Sequence, residues 1–373
     1  MVPDSLKNLP PPTKRHRDWF WLLWPPAWYA FLSGAKDFSS NAALGSPTLN
    51  AAGLHVWRKQ LAHWVCARRR KRMRANLPPD MAGHWDATGF IRIDSFLEPA
   101  RWAAVCDELI SAALPMTEMA QPPALTRRAN LDVLTCRERY PALLSLVNDR
   151  RLIGLLQYAA GYRGRPVVCV QCVHSDLQDA QGRHDPQTEW HADTFHGTAK
   201  AWLFLHPVGE HDGPFGYQTG SHALTAQRLR WEQSTSIGAA FHTNRLHARG
   251  SFRASEAELS AMGLGDPMVA IVPGNTLVIA DTSGFHRRMP SPAPTVRVEV
   301  YFSLRRNPFL AGLYPGILDW PLLRDRWAGW LFAWYVWRQA RGKPSWIPSP
   351  TKGLNDAEKQ VLRSRGSSAV DTG

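Results

Sequence analysis

The stretch Trp190-His191-Ala192-Asp193-Thr194 sets a histidine and a carboxylate two residues apart, so on an extended strand both side chains leave one face. No other pair constrains the fold as strongly, because its complement lies far downstream. Gly284-Phe285-His286-Arg287-Arg288 supplies a second histidine, and eleven residues after it Arg297 sits in the alternating run Val296-Arg297-Val298-Glu299-Val300-Tyr301-Phe302. A chain that uses all four residues together must bring distant strands against one another. His-x-Asp alone is common, and a lone strand arginine is usually a surface group. The order His-x-Asp, distant His, then Arg on a following strand is far more restrictive.

The residue types point to a metal. Two neutral imidazoles and one carboxylate make a facial triad that leaves coordination positions open, the ligand set of non-haem iron(II) oxygenases. With His191, Asp193 and His286 as ligands the ferrous site carries about +1 net charge, which favours an anionic co-substrate and leaves room for dioxygen. A guanidinium at a distance, Arg297, would clamp the far carboxylate of 2-oxoglutarate through a bidentate pair.

Around these residues the chain resembles the phytanoyl-CoA dioxygenase family of iron(II) and 2-oxoglutarate-dependent oxygenases. The resemblance runs over about 83–306: an opening Ala87-Thr88-Gly89-Phe90-Ile91-Arg92-Ile93, then Asp94-Ser95-Phe96-Leu97 and a helix, then His191-Ala192-Asp193. Asp212-Gly213-Pro214-Phe215-Gly216-Tyr217, Gly220-Ser221-His222 and Pro273-Gly274-Asn275-Thr276 follow, and the His286 segment and Arg297 close it. The resemblance implies a mostly β fold with flanking helices, a double-stranded β-helix of the jelly-roll kind. It also implies Fe(II), 2-oxoglutarate and O2, with the metal at His191, Asp193 and His286 and the co-substrate at Arg297. Two residues after the distal histidine some members carry a small hydroxyl residue where this chain has Arg288. Asp193 stands where related halogenases have Ala or Gly, which favours hydroxylation or a related oxidation.

Other residues crowd the same region. His184, His196, His206, His211 and His222 are secondary candidates, and His196 has an odd offset from His191. Lys200, leading into the apparent strand Ala201-Trp202-Leu203-Phe204-Leu205, is a candidate co-substrate contact, although a lysine at a strand edge ordinarily faces water. Arg297, Glu299 and Tyr301 are expected to face the cavity. Cys169-x-x-Cys172 lies in a strand-like run with its cysteines on opposite faces, and five irregularly spaced cysteines suggest no disulfide framework and a reducing compartment.

The net charge of +13 belongs to the flanks. Residues 1–82 hold 13 Lys or Arg against 4 Asp or Glu, residues 307–373 hold 9 against 5, and 83–306 hold 22 of each. Twelve of the 17 tryptophans lie in those flanks, six in each. Three parts are therefore expected: a basic, Trp-rich N-terminal extension (1–82), the oxygenase domain (83–306), and a C-terminal amphipathic Trp-rich helix and tail (307–373). Trp19 to Leu32 is too short and too proline-broken for the roughly 20 residues of a spanning helix and reads as interfacial rather than as a signal peptide. Trp327, Trp330, Trp334 and Trp337 share one face of a helix expected over 321–341, with arginines towards its ends; docking on the barrel is the alternative. Helices are also expected over 54–74, 101–113 and 150–160, and 1–13 and about 350–373 are expected to be loosely ordered.

Together these features point to a hydroxylase acting on an unactivated C–H bond of a lipid, glycolipid or other substrate at an anionic membrane surface. The expected place is the cytoplasm, peripherally at the inner face of the membrane. The alternatives are a soluble small molecule or acyl-CoA as substrate, or a catalytically idle membrane-associated barrel. The basic run Arg68–Arg74 invites an anionic partner or a solvated helix end, but nucleic acid is disfavoured because no recognition motif accompanies it.

Overall fold

The computed structural model describes residues 29–175, 185–310, 320, 326–342 and 346–364. Its strands are β1 (Phe90–Ile93), β2 (Thr117–Gln121), β3 (Ala124–Leu131), β4 (Val167–Ser175), β5 (Ala199–Phe204), β6 (Phe215–Tyr217), β7 (Met268–Val269), β8 (Thr276–Asp281), β9 (His286–Arg288), β10 (Thr295–Leu304) and β11 (Ile347–Pro348). Eight of them form a major antiparallel sheet in the order β1-β8-β5-β10-β4-β3-β2-β11, and β7-β6-β9 form a minor one. Two antiparallel sheets joined in this non-sequential order make a jelly-roll arrangement.

Strand alternation decides what each sheet face meets. On β10, Val298, Val300 and Phe302 enter the larger hydrophobic cluster with Cys66, Leu155 and Leu156 from the covering helices. Tyr301 points the other way, into a second cluster with Trp202, Phe204, Phe215 and Tyr217 between the sheets. Burial of each large apolar side chain contributes about 1.5–3 kcal/mol, so a one-residue slip of β10 would reverse both clusters. Cys169 and Cys172 divide likewise, Cys169 to the inner cluster and Cys172 to the outer. All five cysteines are free and buried.

Helix Arg150–Ala160 lies where the sequence places it, and helix Pro99–Ser111 starts two residues early. Asp149 caps the former by accepting from Leu152 N–H at 2.9 Å. Gly161 ends it at φ 77°, where a Cβ would run into Cys66 of helix Leu54–Met73. That close approach docks the long helix on the barrel. Ala62, Cys66 and Met73 are buried, and Cys66 and Met73 join the main cluster. Lys59 and His55 reach across to Glu232 at 2.7 and 2.6 Å. Arg58 donates to the carbonyls of Ala30, Phe31, Ser33 and Ala35. Helix Leu54–Met73 thus contributes to the main core, and Arg58 ties the segment 30–35 to it.

Two expectations change. The basic run is not a uniformly solvated helix end: Arg70 is buried with its Nη1 3.8 Å from Asp281, and Arg69 donates to Pro308 O at 2.7 Å. The chain beyond 350 is not loose throughout, because helix Asp356–Arg363 is closed by a capping box of Asn355 and Glu358. Glu358 is fully buried between Arg127 (2.5 Å) and His174 (2.7 Å). Helix Trp327–Ala340 forms within the expected range, with Trp330, Trp334 and Trp337 about half exposed. No described helix is long and apolar enough to cross a membrane. The interfacial stretch Trp19–Leu32 lies, up to Trp28, outside the described residues, as do 1–13.

Candidate metal centre

Backbone pairing brings the two halves of the candidate triad together. His191 and His286 exchange N–H···O bonds of 3.0 and 2.9 Å, forming an isolated antiparallel bridge. His286 begins β9, paired to Tyr217 of β6. On its other side the segment is held by Ala192 N–H to Phe252 O (2.9 Å) and Ala254 N–H to Trp190 O (3.0 Å), while Asp193 N–H bonds Thr282 O at 2.8 Å. His191, bridged to both His286 and Arg253, and Asp193, in a bend, therefore lie outside any full strand, yet their side chains still converge.

Among the described residues, His191, Asp193 and His286 make one group that can hold a metal ion, with ligand atoms within 4.8 Å of one another. His286 Nε2 stands 3.6 Å from Asp193 Oδ2, and His191 Nε2 stands 3.9 Å from Oδ1. The Nδ1 atom of His191 faces Glu189 O at 2.8 Å and that of His286 faces Gly284 O at 3.1 Å. A carbonyl can only accept, so each Nδ1 carries the proton and each Nε2 presents a lone pair to the centre. Burial, aided for His191 by His286, holds His191 well below the usual imidazole range, and burial brings His286 down to about 4. Burial alone would raise the Asp193 carboxyl, but Lys200 and the two histidines bring it well below the usual range. The donor set is thus two neutral imidazoles and one carboxylate, which fits a divalent transition metal.

Cations surround the carboxylate. Lys200 lies on the inner face of β5, its Nζ 2.5 Å from Asp193 Oδ2 in an ion pair without an aligned hydrogen bond. It is not a water-facing strand-edge lysine. Lys36 Nζ donates to the main-chain oxygen of Asp193 at 2.5 Å, a contact not anticipated from the sequence because 157 residues separate the two.

Arg297 is buried on the inner face of β10, as its alternation requires. Its Nε donates to Glu299 at 2.9 Å and its Nη1 to the carbonyl of Gly213, in the Asp212-Gly213-Pro214 turn. Gln171 donates to Glu299 and accepts from Arg128 Nε at 2.7 Å, and Arg128 lies 4.7 Å over the Tyr301 ring. Arg297, Glu299, Gln171 and Arg128 thus form one polar row across β10, β4 and β3. Arg288 pairs with Asp185 at 2.8 Å; burial, against the pull of Asp185 and with the repulsion of Arg297, lowers its guanidinium pKa.

The remaining histidines stay out of the triad. His206 Nε2 accepts from Val298 N–H at 3.0 Å, a strand-fixing role. His196 is buried with Nδ1 on Gly197 O, His222 is buried near Trp85, and His211 contributes its carbonyl to Ser291. His184 lies outside the described residues.

No family model matches the chain, and no curated protein matches it. Solved structures do. The non-heme alpha ketoglutarate dependent epimerase SnoN from nogalamycin biosynthesis is 13% identical, over 60% of this chain and 81% of that one, with a TM-score of 0.41. HygX from Streptomyces hygroscopicus, with nickel, 2-oxoglutarate and hygromycin B bound, is 15% identical over 61% and 86%, TM-score 0.38. The non-heme alpha ketoglutarate dependent carbocyclase SnoK from nogalamycin biosynthesis is 16% identical over 67% and 91%, TM-score 0.36. At this level of likeness the function rests on the triad and not on the neighbours.

Proposed function

We propose that the protein is a non-haem iron(II), 2-oxoglutarate-dependent dioxygenase of the phytanoyl-CoA dioxygenase kind, hydroxylating a C–H bond of an organic substrate. The observation that carries this reading is the triad with both Nδ1 atoms committed to carbonyls and both Nε2 lone pairs turned inward. Ferrous iron and 2-oxoglutarate would supply oxidation of a C–H bond by dioxygen, coupled to conversion of 2-oxoglutarate to succinate and carbon dioxide. His191, Asp193 and His286 hold the metal. Arg297, oriented by Glu299 and Gly213, would hold the far carboxylate of the co-substrate, and Lys200 beside Asp193 would supply a second positive charge there. Trp202, Phe215 and Tyr301 pack in the apolar cluster between the sheets, on the face that carries Lys200 and Arg297, and would limit water there.

The substrate is proposed to be a lipid, glycolipid or other molecule presented at an anionic membrane surface, with the protein peripheral at the cytoplasmic face. The half-exposed Trp330, Trp334 and Trp337, with Arg338 and Arg341 stacked over Trp334 and Trp337 at 4.9 and 4.1 Å, support that reading. The test is succinate formation from 2-oxoglutarate with ferrous iron and oxygen, compared with Asp193→Ala. Coupled turnover surviving that substitution refutes the assignment.

A further inference from the structure

A cavity of about 450 Å³ opens behind the metal-ligand segment, lined by Lys36, Arg249 and Arg305 among others. Its wall is built by a close backbone approach. Phe38 and Ser39 N–H both bond Ala248 O, at 3.1 and 3.2 Å. Gly250, at φ 77°, passes so near the Lys36 carbonyl that a Cβ there would overlap it. The segment 34–41 is thereby pinned against 246–251, and Lys36 is carried to the back of Asp193.

The charges in this cavity do not cancel. Asp37, its one carboxylate, is taken up locally: it accepts from Ser39 N–H and Ser40 N–H at 2.9 and 3.0 Å and pairs with Arg249 at 3.4 Å. Lys36 is spent on a neutral carbonyl, and Arg305 has no carboxylate within ion-pair distance among the described residues. A partly enclosed volume lined by three cations, Lys36, Arg249 and Arg305, against the single carboxylate of Asp37 favours an anion, and guanidinium and ammonium groups suit a tetrahedral oxyanion. Its size is that of a small-molecule pocket.

We infer that this cavity binds a phosphoryl group of the substrate, held by Lys36 and Arg305 beside the metal-ligand residue Asp193. The inference rests on the iron and 2-oxoglutarate reading only in making the anion part of that enzyme's substrate. A phosphate ester in solution and a phosphorylated lipid headgroup offer the same chemistry. Lys36 links the two sites, since the residue lines the cavity while its ammonium donates to the backbone of a metal ligand.

The test titrates the full-length protein calorimetrically with inorganic phosphate and with glycerol phosphate, and sediments it with phosphatidylcholine vesicles with and without phosphatidic acid. Arg305→Ala should weaken phosphate binding roughly 10- to 100-fold, the loss of charge-assisted hydrogen bonds. Arg305→Lys, which keeps the charge at this exposed position, should stay within a few-fold of wild type. Phosphatidic-acid-dependent sedimentation lost in Arg305→Ala assigns the site to a lipid headgroup, and Arg305-dependent binding of glycerol phosphate alone assigns it to a soluble ester; either supports the inference. No phosphate binding, binding indifferent to Arg305, or phosphate that displaces 2-oxoglutarate from the iron-loaded protein overturns it. If phosphate binds through Arg305 while iron and 2-oxoglutarate give no charge-transfer band, the oxygenase reading fails and the anion site stands.

Discussion

Replacing Glu232 should destabilise the protein by several kcal/mol without touching the metal ligands. This fully buried carboxylate receives His55 at 2.6 Å and Lys59 at 2.7 Å from helix Leu54–Met73, and Arg228 at 2.9 Å from its own helix Ala226–Gly238. Burial works against its charge, yet Lys59 and Arg228 hold its carboxyl well below the usual range. Lys59 and Arg228 are each 3% exposed, so Glu232→Ala strands two cations away from water. Breaking a buried ion pair by removing one partner costs about 3–5 kcal/mol. Arg228 keeps its bonds to Ser221 O and Ser283 O, which places the expected loss near the lower end, at about 3 kcal/mol. The double replacement Lys59→Met, Glu232→Met should lose less than Glu232→Ala, because it removes one stranded charge and fills the space. Urea unfolding followed by tryptophan fluorescence measures both. A Glu232→Ala loss under about 1 kcal/mol, or a double variant worse than the single, would refute the reasoning that this network ties the N-terminal helix to the barrel.

Stability should also fall on mild acidification. Burial depresses His196 to about 3, His206 to about 4 and His247 to about 3, whereas the unfolded chain binds protons near 6.5. Their contribution is present above pH 6.5 and is lost as pH falls towards the folded values, on the order of 2 kcal/mol per histidine at pH 5; a urea midpoint unchanged between pH 7.5 and 5 contradicts this. Arg297→Ala should raise the dissociation constant for 2-oxoglutarate at least tenfold while leaving ferrous affinity within a few-fold, and equal losses in both would remove the clamp role. Lys200→Met should tighten metal binding to the free protein, since an ammonium 2.5 Å from Asp193 opposes a second cation, while weakening 2-oxoglutarate binding about tenfold; weaker metal binding would contradict the competition. Replacing Trp330, Trp334 and Trp337 with serine should abolish co-sedimentation with anionic vesicles and spare soluble turnover, and undiminished sedimentation would locate membrane contact elsewhere.

The centre was legible in the sequence because its chemistry demands rare residue types, and strand alternation told which face of β10 would carry Arg297, Glu299 and Tyr301. The partners of those residues were not legible. Gln171 and Arg128 join the row only through the β10–β4–β3 register, which no local pattern encodes. Lys36 is an ordinary loop lysine until Gly250 lets its backbone approach. The helix Asp356–Arg363 was hidden by composition: a polar tail reads as loose, although Asn355 and Glu358 stand at capping-box spacing. Likewise the run Arg68–Arg74 looks solvated as a string of charges, while helical periodicity turns Arg70 inward to Asp281.

The central claim, a ferrous centre that chelates 2-oxoglutarate at His191, Asp193 and His286, is tested most directly by anaerobic optical titration of the full-length protein. Addition of iron(II) and then 2-oxoglutarate should produce a metal-to-ligand charge-transfer band that is absent in His286→Ala and needs more 2-oxoglutarate in Arg297→Ala. A protein that binds iron(II) yet gives no such band at saturating 2-oxoglutarate would contradict the account.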